Sequence, residues 1–175
     1  LLFISAFATA QDSLKYYNNE RYQTTKIGMT VLGSWAVANI CIGAAGWANS
    51  KGGQNKYFYQ MTTIWGAANR GAAILGYTGN DNKQLTGVET LKAQQKIEKI
   101  FLFNGGLDVV YIGTGIYLNH RGITHGLAQL KGYGTALIPQ GIFLLLFDGT
   151  MYATHRSNGN KLQRFLDKNP LGFNG

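Results

Sequence analysis

The sequence has a single cysteine and two prolines, and its longest apolar runs hold very little charge. The lone Cys41 excludes a disulfide within one chain and a metal site built on several cysteines. Only Arg70, Asp108 and Asp148 bring charge into the four apolar runs. Glycine is abundant, at 24 residues, and much of it falls within those runs. Membrane helices tolerate glycine because it lets backbones approach closely, so the pattern favours a membrane protein over a loop-rich soluble one.

The formal net charge of +8 raises the question of nucleic-acid binding. The basic residues are scattered through the connections, form no continuous run and belong to no nucleic-acid-binding motif. Basic flanks beside anionic lipid headgroups explain the charge more plainly, so the lipid bilayer is the predicted partner and nucleic acid is not. The sequence also contains no nucleophile motif, phosphate loop or metal-ligand spacing of histidines. No cofactor, metal site or enzymatic activity is therefore predicted.

Four apolar runs cover about residues 27–48, 57–78, 100–118 and 132–154. Each has roughly 20 residues, the number that a helix needs to cross a hydrocarbon core of about 30 Å. Aromatic residues gather near the ends of the runs, as is typical of membrane–water interfaces. These are Trp47, Tyr57, Tyr59, Tyr77, Tyr117, Tyr133 and Tyr152. We predict an all-α fold, a four-helix transmembrane bundle with helical extensions beyond one membrane face.

Residues 1–10 have the apolar character of a signal-peptide core and end in the small-x-small pattern Ala8-Thr9-Ala10. Ten residues are too few to cross a bilayer as a helix. We predict that residues 1–10 are a signal-peptide remnant and that residues 11–175 form a single four-span membrane domain. An uncleaved N-terminal anchor is the alternative.

Antiparallel threading divides the remaining segments between two membrane faces. The connections 49–56 and 119–131 lie on one side, called face C here. The mature N-terminus, the connection 79–99 and the tail 155–175 lie on the other side, face P. Signal cleavage places face P outside, whereas its larger share of Lys and Arg favours the cytoplasm by the positive-inside rule. Because the signal acts first, we predict a bacterial inner-membrane protein with periplasmic N- and C-termini.

A capping box predicts that the third helix begins outside the membrane. Thr86 and Glu89 have the spacing at which a Thr hydroxyl and a Glu carboxylate satisfy free N–H groups at a helix start. No breaker follows in the connection, so one helix is predicted over about residues 87–118. Asp12 or Ser13 is predicted to cap a similar extension into the first span.

The C-terminal tail is predicted to form another short helix, from Lys161 to Asp167. The stop signal is Asn169-Pro170, because the residue before a proline disfavours helical backbone. Face P is therefore expected to carry helical structure of its own.

The ionisable residues of the spans share one depth. At 1.5 Å per residue, Arg70, Asp108 and Asp148 lie roughly 9–12 Å below face P. Isolated charges at that depth are costly, so Arg70 is predicted to pair with one or both acids, as structural glue or as a functional relay. The candidate intramembrane polar cluster consists of Arg70, Asp108, Asp148, Asn104, Asn69 and Tyr111.

The first two spans share a short pattern, Trp35-x-x-x-Asn39 and Trp65-x-x-x-Asn69. Antiparallel threading brings Trp35 level with Asn69 and Asn39 level with Trp65. This threading allows indole N–H groups to donate to Asn side chains across the two helices, in a Trp–Asn ladder. Two copies of so short a pattern also arise by chance, and ordinary packing with satisfied polar groups is the favoured interpretation.

Four stretches carry a resemblance to a known family: GMTVLGSWAVAN at 28–39, ETLKAQQKIEKI at 89–100, LFNGGLD at 102–108 and GIFLLLFD at 141–148. They resemble an uncharacterised family of small four-span bacterial membrane proteins, of the Bacteroidota type. The resemblance covers nearly the whole mature chain. It implies a topology and supplies no functional residues, because the family has no assigned activity.

Two functions are consistent with these features. The small size, Gly-rich helices and basic extensions favour a non-enzymatic accessory or assembly subunit of a larger membrane complex, with other membrane subunits as partners. The alternative is a small transporter or ion-coupled channel that uses the intramembrane Arg and Asp residues, and a membrane enzyme is third. A water-filled path from face P to the charges favours transport, whereas a dry and closed cluster favours a structural role.

Overall fold

The computed structural model describes residues 2–81, 83 and 85–169, with side chains from residue 11 onward. It consists of four helices: α1 (Leu2–Asn49), α2 (Gly53–Thr78), α3 (Gly87–Thr124) and α4 (Ala128–Lys168). The described ranges contain no strand, so the predicted all-α fold is confirmed.

Three helices are long and apolar enough to cross a membrane; they are Gln11–Asn49 within α1, Gly87–Thr124 (α3) and Ala128–Lys168 (α4). The chain is accordingly a helical membrane protein. α2 is not among the three, and its sequence contains polar residues that include Gln60, Asn69 and Arg70. The span at 57–78 stays a prediction.

The capping box at the start of α3 is confirmed. The Thr86 hydroxyl accepts from the Glu89 backbone N–H at 3.4 Å, and the Glu89 carboxylate accepts from the Thr86 N–H at 3.0 Å. These two bonds satisfy N–H groups that a helix start otherwise leaves free. From Gly87 the helix runs without a break past the predicted end near Leu118, to Thr124.

Two other helix boundaries differ from the prediction. α1 begins at Leu2, so neither Asp12 nor Ser13 is its N-cap. α4 runs unbroken to Lys168, so the separate tail helix is a wrong prediction. The tail continues α4 because Leu162 and Leu166 are fully buried, and burying both on one face stabilises a helix in register with the span. Signal-peptide cleavage stays a prediction. The side chains of residues 1–10 lie outside the described residues, as does Pro170 of the predicted stop signal.

α4 is the centre of the bundle. The closest helix pairs are α3 with α4 and α1 with α2, and α4 also packs against α2 and α1. No Cα atom of α2 lies within 8 Å of one in α3. The helices α2 and α3 therefore diverge, and the space between them is open to side chains and to a ligand.

Close packing elsewhere in the bundle depends on glycine. A Cβ atom on Gly43 of α1 would lie 2.7 Å from the backbone nitrogen of Thr63 in α2. A Cβ atom on Gly134 of α4 would lie 2.5 Å from the backbone oxygen of Gly115 in α3. Both helix pairs approach to a distance that only glycine permits, which is how membrane helices gain packing energy.

A polar layer joins the extensions of α3 and α4 on face P. The Gln94 amide donates to the His155 backbone oxygen at 2.6 Å and accepts from Asn158 at 3.1 Å. The guanidinium of Arg156 pairs with buried Glu98 at 3.1 Å. Each buried polar group that this layer joins gains a partner, so its burial costs little.

The connection between α2 and α3 is fastened to α1 by side-chain amides and one guanidinium. Asn18 donates to the Lys83 backbone oxygen at 2.6 Å, and Arg21 donates to the Asp81 backbone oxygen at 3.1 Å. Asn80 donates to a backbone oxygen of α1, at Tyr22, at 2.8 Å. These bonds hold the start of α3 beside α1 although the helices themselves touch little.

Removing the cap should loosen the start of α3. Thr86→Ala is expected to destabilise the fold by roughly 1 kcal/mol and to speed amide exchange in residues 87–90, because their N–H groups lose an acceptor. Hydrogen exchange read by mass spectrometry measures this. Thr124→Ala is the matched control, since Thr124 lies exposed at the other end of the helix and bonds only the His120 backbone oxygen.

The effect should also depend on pH. The backbone N–H and hydroxyl of Thr86 lower the pKa of Glu89 from its ordinary value. The stabilisation is therefore present above the ordinary Glu pKa and is lost as the pH falls through the lowered pKa of the folded state. Equal exchange in wild type and Thr86→Ala at neutral pH would contradict this account of the cap.

Candidate functional site

A cavity of about 380 Å³ lies where α2 and α3 diverge, with α1 and α4 behind it. Its polar lining consists of Thr25, Trp65, Asn69, Asn104, Asp108, Tyr111 and Asp148. Phe101 and Phe147 add aromatic walls, and no Lys, Arg or His lines the cavity. We call this space the acid cavity. It lies within the predicted membrane-spanning part of the bundle.

The two acids stand side by side in the cavity. Asp108 and Asp148 are 2% and 4% exposed, and their carboxyl groups lie within hydrogen-bonding range of each other. The side chain of Asn104 lies beside the carboxyl group of Asp148. Two carboxylates this close cannot both be ionised in an apolar environment, so the pair is stable when it holds one proton between its oxygens.

Unpaired polar atoms gather in the same place. In the described part of the chain, four buried side-chain atoms have no hydrogen-bond partner, and three of them belong to residues that line the acid cavity. They are the donors Trp65 Nε1 and Asn69 Nδ2 and the acceptor Asp108 Oδ2. Buried polar groups are rarely left unpaired, so three in one cavity indicate a place for water or a polar ligand.

A second space adjoins the acid cavity on the side of face P. This vestibule, of about 370 Å³, is lined by polar residues that include Arg21, Asp81, Lys83 and Lys96. The two spaces share four lining residues, Thr25, Gly76, Ile97 and Ile100. The two spaces are therefore neighbours, with these four residues between them. The acid cavity also opens sideways, where Ala68, Ala72 and Ile100 of its lining are exposed.

Arg70 does not join the acids, and the predicted ion pair is wrong. Of the six residues in the predicted cluster, the other five line the acid cavity. Arg70 is exposed in a groove between α1 and α2, with its Nη1 3.1 Å from the site of a Cβ on Gly33. Successive helical residues point about 100° apart, so Asn69 faces the cavity while Arg70 faces lipid. Counting residues along a helix gives the depth of a side chain in the membrane, but not the side of the helix on which it lies.

The predicted Trp–Asn ladder between α1 and α2 is also wrong. Trp35 donates to Gln140 of α4 at 3.1 Å, and Gln140 in turn donates to Asn39. One glutamine offers both an acceptor and a donor, so it satisfies both residues of α1. Trp65 and Asn69 of α2 are left with unpaired N–H groups. Antiparallel alignment of α1 with α2 alone leaves out α4, which packs beside both helices and supplies Gln140.

Sequence reasoning missed the aromatic walls and the polar layer above the cavity. On α3, Gln94, Glu98, Phe101, Asp108 and Gly115 are all buried. Their spacing of three, four and seven residues marks one continuous helix face, and this periodicity was available in the sequence. Phe147 carries no such signal beyond its place next to Asp148.

The fold and the site define a helical membrane protein with a paired-acid cavity. The sequence profile of DUF6992, a family of unknown function, matches residues 31–149. The chain therefore belongs to the DUF6992 family, and the predicted resemblance to an uncharacterised family is confirmed. No curated protein and no solved structure matches the chain. The bacterial and Bacteroidota origin stays a prediction.

Water should reach the acid cavity. In a Cys41→Ser background, Ala68→Cys is expected to react readily with a small water-soluble thiol reagent, because thiolates form only in water. Ala67→Cys is the matched control, since Ala67 is exposed at nearly the same depth but does not line the cavity. Mass spectrometry of the labelled protein in vesicles reads the rates. Equal, slow labelling at both positions would show that the cavity is dry.

Proposed function

We propose that this protein is a small ion-coupled membrane transport protein in which Asp108 and Asp148 take up and release a proton. The observation that carries the proposal is the pair of adjoining carboxyl groups in a cavity that adjoins a face-P vestibule. Ionisable groups in membrane spans commonly mark ion and proton pathways. A closed cluster with every polar atom paired would have favoured a structural role instead.

The unpaired atoms support this proposal. Structural polar networks in this chain are satisfied, as the bonds of Gln140 and Gln94 illustrate. Among the described residues, three of the four unpaired buried side-chain atoms belong to the lining of the acid cavity, and the fourth is Nδ1 of His155. A cavity that binds and releases water or solute must leave such groups available, because every permanent bond within the protein would compete with the ligand.

The location that goes with this proposal is a bacterial inner membrane, with face P and both termini in the periplasm. In that orientation the vestibule faces the periplasm. The three helices of membrane length support the membrane location, and the predicted signal peptide at residues 1–10 is the basis for the proposed orientation.

Proton uptake into vesicles tests the function. Purified protein is reconstituted with a trapped pH indicator, and a potassium diffusion potential, negative inside, drives cations inward. Vesicles with wild-type protein are expected to acidify inside. Vesicles with Asp108→Asn or Asp148→Asn are expected to behave like empty vesicles, because an amide side chain does not take up a proton near neutral pH.

Asp167→Asn is the matched control, because Asp167 is an exposed acid in the tail of α4. It should leave uptake unchanged. Equal rates in wild type, Asp148→Asn and empty vesicles would contradict the proposal.

A second candidate, an accessory subunit of a membrane complex, is favoured by Arg70. Its guanidinium forms no ion pair with a described residue and lies in a groove of about 640 Å³ on the outside of α1 and α2. A lipid-facing cation within a span is costly unless an acid pairs with it. Two copies related by a two-fold axis across this groove would bring Arg70 against Arg70, so the fitting occupant is a partner helix that carries Asp or Glu.

Purification in gentle detergent tests this second function. A membrane protein with an acid at the depth of Arg70 should copurify with wild type, be lost from Arg70→Leu and be kept in part by Arg70→Lys. Retention of the same partner by Arg70→Leu would exclude the groove as its docking site.

A further inference from the structure

The chemistry of the acid cavity points beyond the proton to a substrate. We propose that it binds an amine with an oxygen acceptor beside the nitrogen, such as an amino alcohol, which enters sideways from the bilayer between α2 and α3. This inference rests on the proposed function, because it names the substrate class of the same site.

The acidic lining of the cavity favours an amine as the ligand. Asp108 and Asp148 are its only charged lining residues, and no lining cation competes for them. The walls include the rings of Trp65 and Tyr111, which meet edge to face at 4.8 Å between centroids. An ammonium group is attracted both by a carboxylate and by the faces of aromatic rings, so acids among aromatic walls favour an organic cation.

The unpaired N–H donors of α2 indicate that the ligand also carries an oxygen acceptor. Trp65 Nε1 and Asn69 Nδ2 both come from α2, whereas the unpaired acceptor, Asp108 Oδ2, comes from α3. An amine alone would satisfy the acceptor and leave both N–H groups without a bond. A hydroxyl or carbonyl oxygen next to the amine provides the acceptor that the α2 side lacks.

The route follows from the charge of the two openings. The vestibule is lined by Arg21, Lys83 and Lys96 against one acid, Asp81, which disfavours the entry of a cation. The sideways opening is apolar, with Ala68 and Ala72 exposed beside it. An apolar amine in its neutral form dissolves in the bilayer and enters there.

Binding then moves one proton. The lone pair of the amine nitrogen takes the proton that Asp108 and Asp148 share, and the carboxyl O–H bond breaks. Both carboxyl groups are then ionised, and the positive charge of the ammonium between them takes the place of the shared proton. No other reactant is required. Because the free amine in neutral water is already protonated, each molecule bound from solution releases one proton overall.

The groups able to titrate around the pair are few. Tyr111 of α3 is the remaining titratable residue in the cavity lining, and the lining residues of α1 and α2 are not titratable. Beyond the cavity, His155 of α4 bonds Thr25 at 3.3 Å, and the charged vestibule residues lie towards face P. Proton release on binding is therefore assigned to the two aspartates.

Three probes separate the two requirements: phenylalaninol has amine and hydroxyl, 2-phenylethylamine has the amine alone, and 2-phenylethanol has the hydroxyl alone. Isothermal titration of the purified full-length protein, in two buffers of different ionisation enthalpy, measures affinity and released protons. We expect phenylalaninol to bind about tenfold more tightly than phenylethylamine, the effect of one added hydrogen bond of about 1.4 kcal/mol. Phenylethanol should bind weakest and release no proton.

Two variants assign these effects to residues. Trp65→Phe keeps an aromatic ring but removes the N–H, so it should reduce the preference for phenylalaninol over phenylethylamine. Leu102→Ala is the control, since Leu102 is 59% exposed on the far side of α3. It should leave all three affinities unchanged.

The possible results distinguish failure of the amine inference from failure of the proposed function. If the probes fail to bind, or bind equally, while vesicle proton uptake still requires both aspartates, the amine inference falls and the proposed function stands. An unchanged hydroxyl preference in Trp65→Phe overturns the role of the α2 donors. Absence of both binding and proton uptake overturns the inference together with the proposed function.

Discussion

The cost of placing Asp108 and Asp148 in the apolar interior governs how the rest of the bundle is arranged. A single ionised carboxylate there is unstable, but two carboxyl groups that share a proton, with the Asn104 amide beside them, lower that cost. The arrangement requires α3 and α4 to pack closely enough for the carboxyl groups to touch. Glycines such as Gly115 and Gly134 provide that closeness by letting the two backbones approach.

The close packing of α3 against α4 is accompanied by a gap between α3 and α2. α3 packs along α4 and α1 packs along α2, and no Cα atom of α2 comes within 8 Å of a Cα atom of α3. Trp65 and Tyr111 bridge the gap by their rings, and the polar atoms of Asn69 remain only partly bonded. A bundle with uniform helix contacts would have closed this space and removed both the cavity and its sideways opening.

Polar residues outside the cavity behave differently. Gln140 satisfies Trp35 and Asn39, while Gln94 satisfies Asn158 and the backbone at residue 155. These networks specify how the helices fit together, which is the usual use of polar groups in membrane bundles. Among the described residues, three of the four unpaired buried side-chain atoms belong to residues that line the acid cavity, and this contrast motivates the proposal that the cavity is functional.

Much of this architecture was predictable from sequence because it depends on local or one-dimensional signals. The capping box needs only Thr86 and Glu89, and the depth of the acids needs only a count along straight helices. The direction of Arg70 and the partners of Trp35 depend on helix rotation and on which third helix lies nearby. Those are tertiary facts, and no short pattern in a single sequence encodes them.

The central claim is that Asp108 and Asp148 share one proton in a cavity that water reaches. Infrared spectroscopy of the protein in vesicles at neutral pH measures this most directly, through the C=O band of a protonated carboxyl group. The account predicts a band that shifts promptly in D₂O and is missing from the Asp108→Asn/Asp148→Asn double variant. A wild-type spectrum in which every carboxyl group is ionised, or a band that the double variant retains, would contradict it.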